Sequence, residues 1–446
     1  MRFKSCRPHP ADRRFTSAAV ENSISEIAGR MKDKELAWLF ANCLPNTLDT
    51  TVYHELHQGR PDTFVITGDI PAMWLRDSTA QVWPYLRFAK EDVPLRELLQ
   101  GVLNRQVRCV LLDPYANAFE PNPAGISHWA GDHTAMKPGL HERKYELDSL
   151  CAVLRLSNGY FAATGDKGGF DADWAKAVDL IIETIRREQD PTPEGKPPHY
   201  EFARNTPNAT DTLPLHGRGN PGRSCGLSRS PFRPSDDATI LPYLIPSNAM
   251  AVVELRGIAN LCGKVLRQKK RAAAATALAD SIAAGIAEHA VVEHPHCGRV
   301  YAYEVDGFGS YYFMDDANVP SLLSLPYLGF CETSDPLYVA TRQAVLSADN
   351  PYFSTGKMAS GIGGPHVGAG HIWPMSIIMR ALTSNDEAEV RACLATLKKT
   401  HAGTGFMHET FWKDDPSRFT RKWFAWANTL FGELILHVHA RWPGML

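Results

Sequence analysis

A helical spacing of apolar residues runs along nearly the whole chain and constrains its fold more than any other feature. Apolar side chains that recur three and four positions apart lie on one face of a helix. The spacing predicts about eleven helices, at residues 18–43, 72–112, 144–164, 171–187, 245–262, 267–292, 319–327, 336–347, 370–382, 386–401 and 423–438. Alternating patterns typical of strands are few and short, as at 63–67 and 300–304. We therefore predict a mostly α-helical protein.

The domain organisation follows from the absence of any linker between two apolar patterns, and we predict one domain over residues 1–446. A composition of 44% hydrophobic and 22% charged residues is that of a globular chain and excludes wholesale disorder. The longest stretch without helical pattern is 188–235. A loop of this length is usually functional or mobile, and we expect its part over 188–223 to shape the outer region of a binding site.

Charge and hydropathy exclude several classes of partner. The 47 basic and 49 acidic residues give a net charge of −2, so we predict no nucleic-acid or membrane partner. The most apolar helical stretch, 272–292, is interrupted by Asp280, Glu288 and His289 and does not read as a membrane span. The basic N-terminus has no apolar stretch behind it, as a signal peptide would, and we expect a cytoplasmic protein. Nine scattered cysteines without a Cys-x-x-Cys pair favour buried free thiols in a reducing compartment.

The densest polar and aromatic segment covers residues 67–78 and contains Asp69, Trp74, Arg76 and Asp77. Gly68 and Pro71 break the chain just before a predicted helix. An arginine beside carboxylates at such a junction can bind the neighbouring hydroxyls of a sugar. The alternative is a simple helix start, with Asp69 as its cap and an Arg–Asp surface pair.

A second segment places Asp236 and Asp237 just after a Pro-Ser turn, at the expected start of a helix. Adjacent side chains point in different directions, so only one of the two can carry the chemistry. If Ser235 caps the helix, Asp237 lies nearer the first helical amides and Asp236 is freer, which narrowly favours Asp236. The alternative is that the whole segment is only a helix cap.

The third segment, 403–412, has two glycines before Met-His-Glu and aromatic residues after it. We expect Glu409 on a loop walled by Phe406, Phe411 and Trp412. Apolar walls of this kind raise the pKa of a carboxyl group and help to position a water molecule. The alternative is a solvated glutamate in an aromatic turn.

Two further windows have a similar composition. Glu146 and Asp148 lie near a predicted helix start, and His366 and His371 lie in the glycine-rich stretch 361–373. That stretch lacks the Gly-Lys-Ser/Thr of a phosphate-binding loop. The two histidines do not have zinc-ligand spacing, so we predict no metal site and no cofactor.

Carboxylates beside aromatic rings are what the hydrolysis of an acetal needs. One carboxyl group protonates the leaving oxygen, and the other activates water or attacks the sugar. We therefore predict Asp236, Asp237 and Glu409 as the catalytic candidates. The substrate-binding candidates are Asp69, Trp74, Arg76, Asp77, Glu146, Asp148, His366 and His371.

Three blocks in this order, TGDIPAMWLRDS, FRPSDDA with YLIPSN, and GTGFMHE, resemble glycoside hydrolase family 125. The resemblance extends from residues 46–52 to 422–435. It implies a single (α/α)6 helical toroid and an exo-acting α-1,6-mannosidase that inverts the anomeric carbon without a metal ion. Its substrates would be mannose-containing oligosaccharides or N-glycan fragments.

The resemblance also implies roles for particular residues. The general acid is one of Asp236 and Asp237, and the general base is Glu409. By analogy with other inverting toroid hydrolases, Arg76 and Asp77 hold hydroxyls of the terminal mannose.

Other functions remain open at this stage. A toroid enzyme of different α-mannoside linkage fits the same residues, whereas a sugar epimerase would use histidines as acid and base. A non-catalytic glycan-binding protein, or a purely structural helical scaffold, would not need the carboxylates in one pocket.

Overall fold

The computed structural model describes residues 3–190 and 198–446. Its secondary structure is mainly helical, which confirms the prediction from apolar spacing. The helices in chain order are α1 Ala18–Arg30, α2 Lys34–Cys43, α3 Asn46–Thr50, α4 Leu75–Val82, α5 Val93–Leu112, α6 Leu147–Thr164, α7 Ala172–Arg187, α8 Pro214–Gly217, α9 Ile245–Asn260, α10 Lys269–His289, α11 Pro336–Val345, α12 Pro374–Leu382, α13 Glu387–Thr400 and α14 Ala425–Arg441.

Two long predicted helices are broken in the structure. The stretch 18–43 divides into α1 and α2, because the Asp33 carboxylate accepts the amides of Glu35 and Leu36 and starts a new helix. The stretch 72–112 divides into α4, the 3₁₀ helix Trp83–Phe88 and α5. Each of the last two begins with a proline in its first turn, where a missing N–H costs nothing.

The predicted helix over 319–327 is wrong, because this segment forms turns. Pro320 and Pro326 cannot donate helical hydrogen bonds. The amides of Leu322 and Leu323 donate instead to the Asp315 carboxylate, at 2.8 and 3.0 Å. A helical spacing of apolar residues was therefore not sufficient here.

Short strands are more numerous than the sequence predicted. They are β1 Val52–His57, β2 Arg60–Val65, β3 Met73–Trp74, β4 Ala118–Phe119, β5 Leu140–Glu142, β6 Tyr243–Leu244, β7 Val291–His294, β8 Gly298–Tyr301, β9 Glu304–Val305, β10 Tyr311–Tyr312, β11 Phe353–Thr355, β12 Ser360–Ile362, β13 His371–Ile372, β14 Thr410–Trp412 and β15 Asp415–Thr420. All pairs are antiparallel, within sheets ordered β1-β2, β3-β4-β5, β10-β9-β6, β7-β8, β11-β12 and β13-β14-β15.

Contacts link five of the helices into one series, from α9 through α6, α4 and α14 to α12. Helix α4 contacts α6, α6 contacts α9, α12 contacts α14, and α14 contacts α4. Helices α5, α10 and α13 pack outside this set, against α6, α9 and α12. Strands β3 and β6 run directly into α4 and α9, and β13 ends two residues before α12. The three sheets that contain β3, β6 and β13 therefore lie at the N-terminal ends of helices of this series, which we call the inner helices.

One hydrophobic cluster extends from Val20 to Leu446, so the apolar faces share a core. All nine cysteines lie in the described part of the chain and are free thiols. Five of them are buried and Cys6 is exposed, so the expected burial holds only in part. None of the described helices combines the length and apolarity that a bilayer span requires. The cytoplasmic location stays a prediction.

The stretch predicted as a long loop, 188–235, contains only the 3₁₀ helix Ala209–Asp211 and the single turn α8 within its described part. Residues 191–197 of this prediction lie outside the described residues.

Gly68 provides a test of the contact between the segment before α4 and the segment before α14. It has φ +133° and pairs with Phe424, and an added Cβ would lie 2.2 Å from the carbonyl oxygen of Trp423. We expect Gly68→Ala to lower the free energy of unfolding by on the order of 3 kcal/mol. Gly59→Ala is the control, because Gly59 has φ +76° but an added Cβ meets nothing within 4 Å. Equal urea midpoints for the two variants would contradict the close approach.

Candidate active site

A pocket of about 890 Å³ opens at the N-terminal ends of the inner helices. Its wall brings together Trp74, Asp236, Asp237, His366 and Glu409 from four separate parts of the sequence. Residues 207–211 also line it, so the long loop contributes to the outer wall as expected. The prediction that the three catalytic candidates share one pocket therefore agrees with the structure.

The starts of two inner helices lie behind the pocket wall, and we call their polar residues the floor; of these only Trp74 lines the pocket. Trp74 immediately precedes α4, whose first turn carries Arg76 and Asp77. Glu146 immediately precedes α6, whose first turn carries Asp148. The partial positive charge of a helix N-terminus favours carboxylates at these positions.

Arg76 connects the acidic groups of the floor. Its Nη1 donates to Glu146 and, at 3.2 Å, to Asp148, while its Nη2 donates to Asp236 at 3.1 Å. Its Nε lies 3.5 Å from Asp77 Oδ2. Burial works against the charge of this guanidinium, but the four carboxylates raise its pKa well above the usual value. Of the groups in this cluster only Asp236 lines the pocket, and the other four lie buried behind its wall.

Glu146 and Asp236 titrate as a pair beside this guanidinium. Burial, reinforced by Asp236, raises the pKa of Glu146 well above its usual range. Burial would also raise the pKa of Asp236, but Arg76 and a hydrogen bond from Glu146 hold it below its usual range. Asn117 Nδ2 donates to both carboxyl groups, at 3.3 and 3.4 Å. The opposite directions of the two pKa shifts favour Glu146 over Asp236 as the carboxyl group of this pair that carries a proton.

The chain around Asp236 forms a tight turn and not the predicted helix start. Asp236 has φ +66°, and its amide donates to the Arg233 carbonyl at 2.9 Å. The amide of Arg233 donates in turn to the carbonyl of Asp237, and the next helix, α9, begins only at Ile245. Ser235 does not cap a helix, because its hydroxyl donates to Asp237 Oδ2 at 2.8 Å. The Asp236 side chain is 24% exposed and that of Asp237 is 5% exposed, so Asp236 is the freer carboxylate for a different reason from the one expected.

His366 faces Asp237 across the pocket, with its Nδ1 3.6 Å from Asp237 Oδ1. Burial disfavours the charged imidazole, but a hydrogen bond and the charge of Asp237, with the charges of Glu409 and Asp236, raise the pKa of His366 to about 9. The ring is therefore a cation at neutral pH and offsets part of the negative charge of the wall.

Glu409 immediately precedes β14 and is held by Arg421, a residue that the sequence reasoning missed. Arg421 Nη1 donates to Glu409 Oε1 at 3.4 Å, and its Nε donates to Asp69 Oδ1 at 2.9 Å. Asp69 is exposed and does not line the pocket; it reaches Glu409 only through Arg421. Arg421 lies one residue before the last block of the family resemblance, which was the available signal.

The aromatic wall differs from the predicted one. Phe406, Phe411 and Trp412 do not belong to the pocket wall among the described residues. Phe411 is buried in the core, on the strand that follows Glu409. The rings that do line the pocket are Trp74, His128, Trp129, His141 and His366.

Six of the eight predicted binding residues lie outside the pocket wall, namely Asp69, Arg76, Asp77, Glu146, Asp148 and His371. His371 is half-buried on β13, where its Nδ1 lies 3.0 Å from Thr410 Oγ1. Asp148 lies beneath the wall, between Arg76 and the hydroxyl of Ser247, which donates to it at 3.2 Å. Asp148 thus supports the floor, and His371 supports the strand next to Glu409.

Three buried polar atoms of the floor have no hydrogen-bond partner. Within the described residues, Trp74 Nε1, Arg76 Nε and Asp77 Oδ2 are buried and have no hydrogen-bond partner. Burial, more than the charge of Asp236, raises the pKa of Asp77 to about 6, although Arg76 opposes the shift. Buried polar atoms are normally paired, and Arg76 Nε and Asp77 Oδ2 lie 3.5 Å apart as an ion pair, whereas Trp74 Nε1 belongs to a residue of the pocket wall.

Charged residues of the outer wall were also missed. Lys144 Nζ donates to Asp211 Oδ1 at 2.5 Å and to the carbonyl of Asp236 at 2.9 Å, which fixes the turn. Arg204 donates to Asp211 at 3.0 Å and to Glu142 at 2.9 Å. Lys144 could have been found from the sequence, because it lies two residues before Glu146. Arg204 could not, because it lies in the long loop, where no local pattern identifies it.

Comparison with known proteins identifies the family. Residues 33–436 match the metal-independent α-mannosidases of glycoside hydrolase family 125. The chain belongs to this family. It is therefore a glycosidase, which excludes a purely structural scaffold.

Individual relatives agree with this assignment. The chain is 47% identical over 461 residues to the meiotically up-regulated gene 157 protein of Schizosaccharomyces pombe, covering 100% of this chain and 90% of the relative. A metal-independent α-mannosidase of Streptococcus pneumoniae, in a non-productive complex with α-1,6-mannobiose, is 42% identical, with a TM-score of 0.91 over 95% of this chain and 99% of that one. A bacterial glucoamylase at 14% identity and a TM-score of 0.54, covering 90% of this chain and 55% of that one, shares the fold alone.

The pKa of His366 provides a test of the pocket charges. We expect its NMR signals to titrate with a midpoint near 9, and those of His371 to titrate below 6.5 in the same spectra. His366→Gln identifies the signal. Because the folded-state pKa is raised, the charged ring stabilises the fold fully below about pH 6.5 and loses this effect as pH rises through about 9. A midpoint of 6.5 would show that His366 and Asp237 do not form an ion pair in the folded protein.

Proposed function

We propose that this glycosidase is an exo-acting α-1,6-mannosidase that inverts the anomeric carbon. The main support is that Asp236 and Glu409 line one pocket, in a chain that belongs to this α-mannosidase family, and that Arg76 binds Asp236 from behind the wall. The substrate is the terminal mannose of mannose-containing oligosaccharides or N-glycan fragments.

We propose further that the chain forms a single (α/α)6 toroid over 1–446. Contacts from α4 through α6 to α9, and from α12 through α14 back to α4, support an inner ring. Packing of α5, α10 and α13 outside these helices supports an outer one. The turns over 319–327 then fill the sixth inner position, where the sequence predicted a helix.

The terminal mannose lies next to the floor in this proposal, and Trp74 Nε1 donates to a sugar oxygen. Arg76 and Asp77 act from behind the wall, as an ion pair that binds Asp236 through Arg76. Asp148 binds the sugar only indirectly, because it orients Arg76. Asp69 likewise acts through Arg421.

Asp236 is the general acid in this mechanism. Its carboxyl group is exposed to the pocket and accepts a hydrogen bond from Glu146, whose pKa is raised, so Asp236 passes a proton from Glu146 to the leaving oxygen. As Asp236 delivers this proton, the negative charge that forms is stabilised by Arg76 at 3.1 Å. Asp237 pairs instead with Ser235 and His366 and fixes the turn.

Glu409 is the general base. Arg421 holds one carboxylate oxygen at 3.4 Å, which orients the side chain and leaves the other oxygen to take a proton from water. That water attacks the anomeric carbon on the face opposite to the leaving oxygen, and its proton passes to Glu409. The product is β-mannose from an α-linked substrate.

The linkage is tested with a panel of α-1,2-, α-1,3-, α-1,4- and α-1,6-mannobiose, each with and without EDTA. We expect free mannose from the α-1,6 isomer, at the same initial rate in the chelator. Hydrolysis of the α-1,2 isomer alone would refute the specificity, and loss of activity in EDTA would refute metal-independent chemistry for this chain.

The acid is tested by comparing Asp236→Asn with Asp237→Asn. We expect Asp236→Asn to lower kcat/KM for α-1,6-mannobiose about 10³-fold or more, because the leaving oxygen is no longer protonated. On a 2,4-dinitrophenyl α-mannoside, whose leaving group needs no proton, the same variant should show a far smaller decrease in kcat/KM. Asp237→Asn is the matched control and should affect both substrates alike. If Asp237→Asn instead shows the large loss on mannobiose and the small loss on the activated substrate, Asp237 is the general acid.

Stereochemistry tests the role of Glu409. An inverting site leaves room for water between the two carboxyl groups, which lie about 6.5–9.5 Å apart, whereas a retaining nucleophile needs about 5–5.5 Å. Proton NMR during early hydrolysis should show β-mannose first, with the α anomer appearing later by mutarotation. If α-mannose forms first, Glu409 is a nucleophile and the proposed mechanism is wrong.

A further inference from the structure

Outside the pocket, three metal-ligating side chains converge on the turn between β7 and β8. A ring nitrogen of His294, Cys297 Sγ and a carboxylate oxygen of Asp349 all lie within 4.8 Å of one another. His294 and Cys297 flank the turn, while Asp349 follows α11, 52 residues after Cys297. None of the three lines the pocket.

Hydrogen bonds hold these groups in place. Cys297 Sγ donates to Asp349 Oδ2 at 3.3 Å, and Ser347 Oγ donates to the same oxygen at 3.3 Å. His296 Nδ1 lies 2.7 Å from Asp349 Oδ1, which orients the carboxylate. The ring of His294 packs against Phe313, with 4.7 Å between centroids. The donor atoms are thus positioned by contacts from both chain segments.

The chemistry of these donors, and the one separation that a hydrogen bond defines, match a tetrahedral site. With a Zn–S distance of about 2.3 Å and Zn–O and Zn–N distances of about 2.0–2.2 Å, the ligand atoms lie about 3.3–3.7 Å apart. The distance of 3.3 Å between Cys297 Sγ and Asp349 Oδ2 falls in this range. One thiolate, one imidazole and one carboxylate form a donor set typical of Zn²⁺, and not of Ca²⁺ or Mg²⁺, which prefer oxygen ligands alone.

We propose that His294, Cys297 and Asp349 bind one Zn²⁺ ion, with water as the fourth ligand. On binding, the Cys297 thiol releases its proton to solvent and the thiolate bonds to the metal. The ion joins the β7–β8 hairpin to the segment after α11. It has no part in the sugar chemistry, which agrees with a metal-independent family.

The test uses the full-length protein after removal of bound metal by a chelator. Equilibrium dialysis against Zn²⁺ should give one ion per chain for the wild type. Cys297→Ser and His294→Ala should each raise the Kd at least 100-fold. Cys331→Ser is the matched control, because Cys331 is another half-buried thiol but belongs to no such cluster. Co²⁺ should give a thiolate-to-metal charge-transfer band in the wild type and the control, and none in Cys297→Ser.

Folding and function are checked separately. None of the three residues belongs to the proposed catalytic machinery, so the variants should hydrolyse mannoside at the wild-type rate if they are folded. Zn²⁺ should raise the Tm of the wild type and leave that of Cys297→Ser unchanged. Unchanged Zn²⁺ affinity in folded Cys297→Ser and His294→Ala, or a Co²⁺ complex without the thiolate band, would overturn the site.

Discussion

The buried guanidinium of Arg76 is the interaction on which the rest of the site depends. It contacts Glu146, Asp148 and Asp236 by hydrogen bonds and Asp77 at 3.5 Å, in an environment where isolated charges are costly. The carboxylates offset the burial of Arg76, and Arg76 allows them to lie close together. A lysine would not replace it, because only the planar guanidinium reaches several carboxylates in fixed directions.

This arrangement leaves more acidic groups than the single Arg76 cation can neutralise, and the excess is resolved by protonation. Burial raises the pKa of Glu146, while Arg76 holds that of Asp236 below its usual range, so a proton on this pair favours Glu146. The proton lies next to the position that the proposed mechanism assigns to the leaving oxygen. In this view the general acid is a property of the Arg76 cluster and not of one aspartate with a raised pKa.

The sequence revealed the residue types of the site but not their geometry. Asp236, Asp237 and Glu409 could be predicted because each lies in a short window of unusual composition. The turn at Asp236 could not, because Pro-Ser-Asp also describes a helix cap, and the bonds of Arg233 and Lys144 that decide the matter are long-range. The same limit applies to the metal-ligating cluster: His294 and Cys297 are neighbours in sequence, but Asp349 joins them only through the packing of α11 against β8.

The two sides of the proposed catalytic pair are fixed by different parts of the fold. Asp236 is held by Arg76, on the first inner helix. Glu409 is held by Arg421, which also bonds Asp69 across 352 residues of sequence, next to the bridge between Gly68 and Phe424. That bridge forms where α14 packs against α4. The position of the base therefore depends on the contact between the segments that precede α4 and α14. The position of the acid depends instead on the charged residues at the starts of α4 and α6. A defect at the contact between the segments before α4 and α14 should thus displace Glu409 while the Arg76 cluster stays intact.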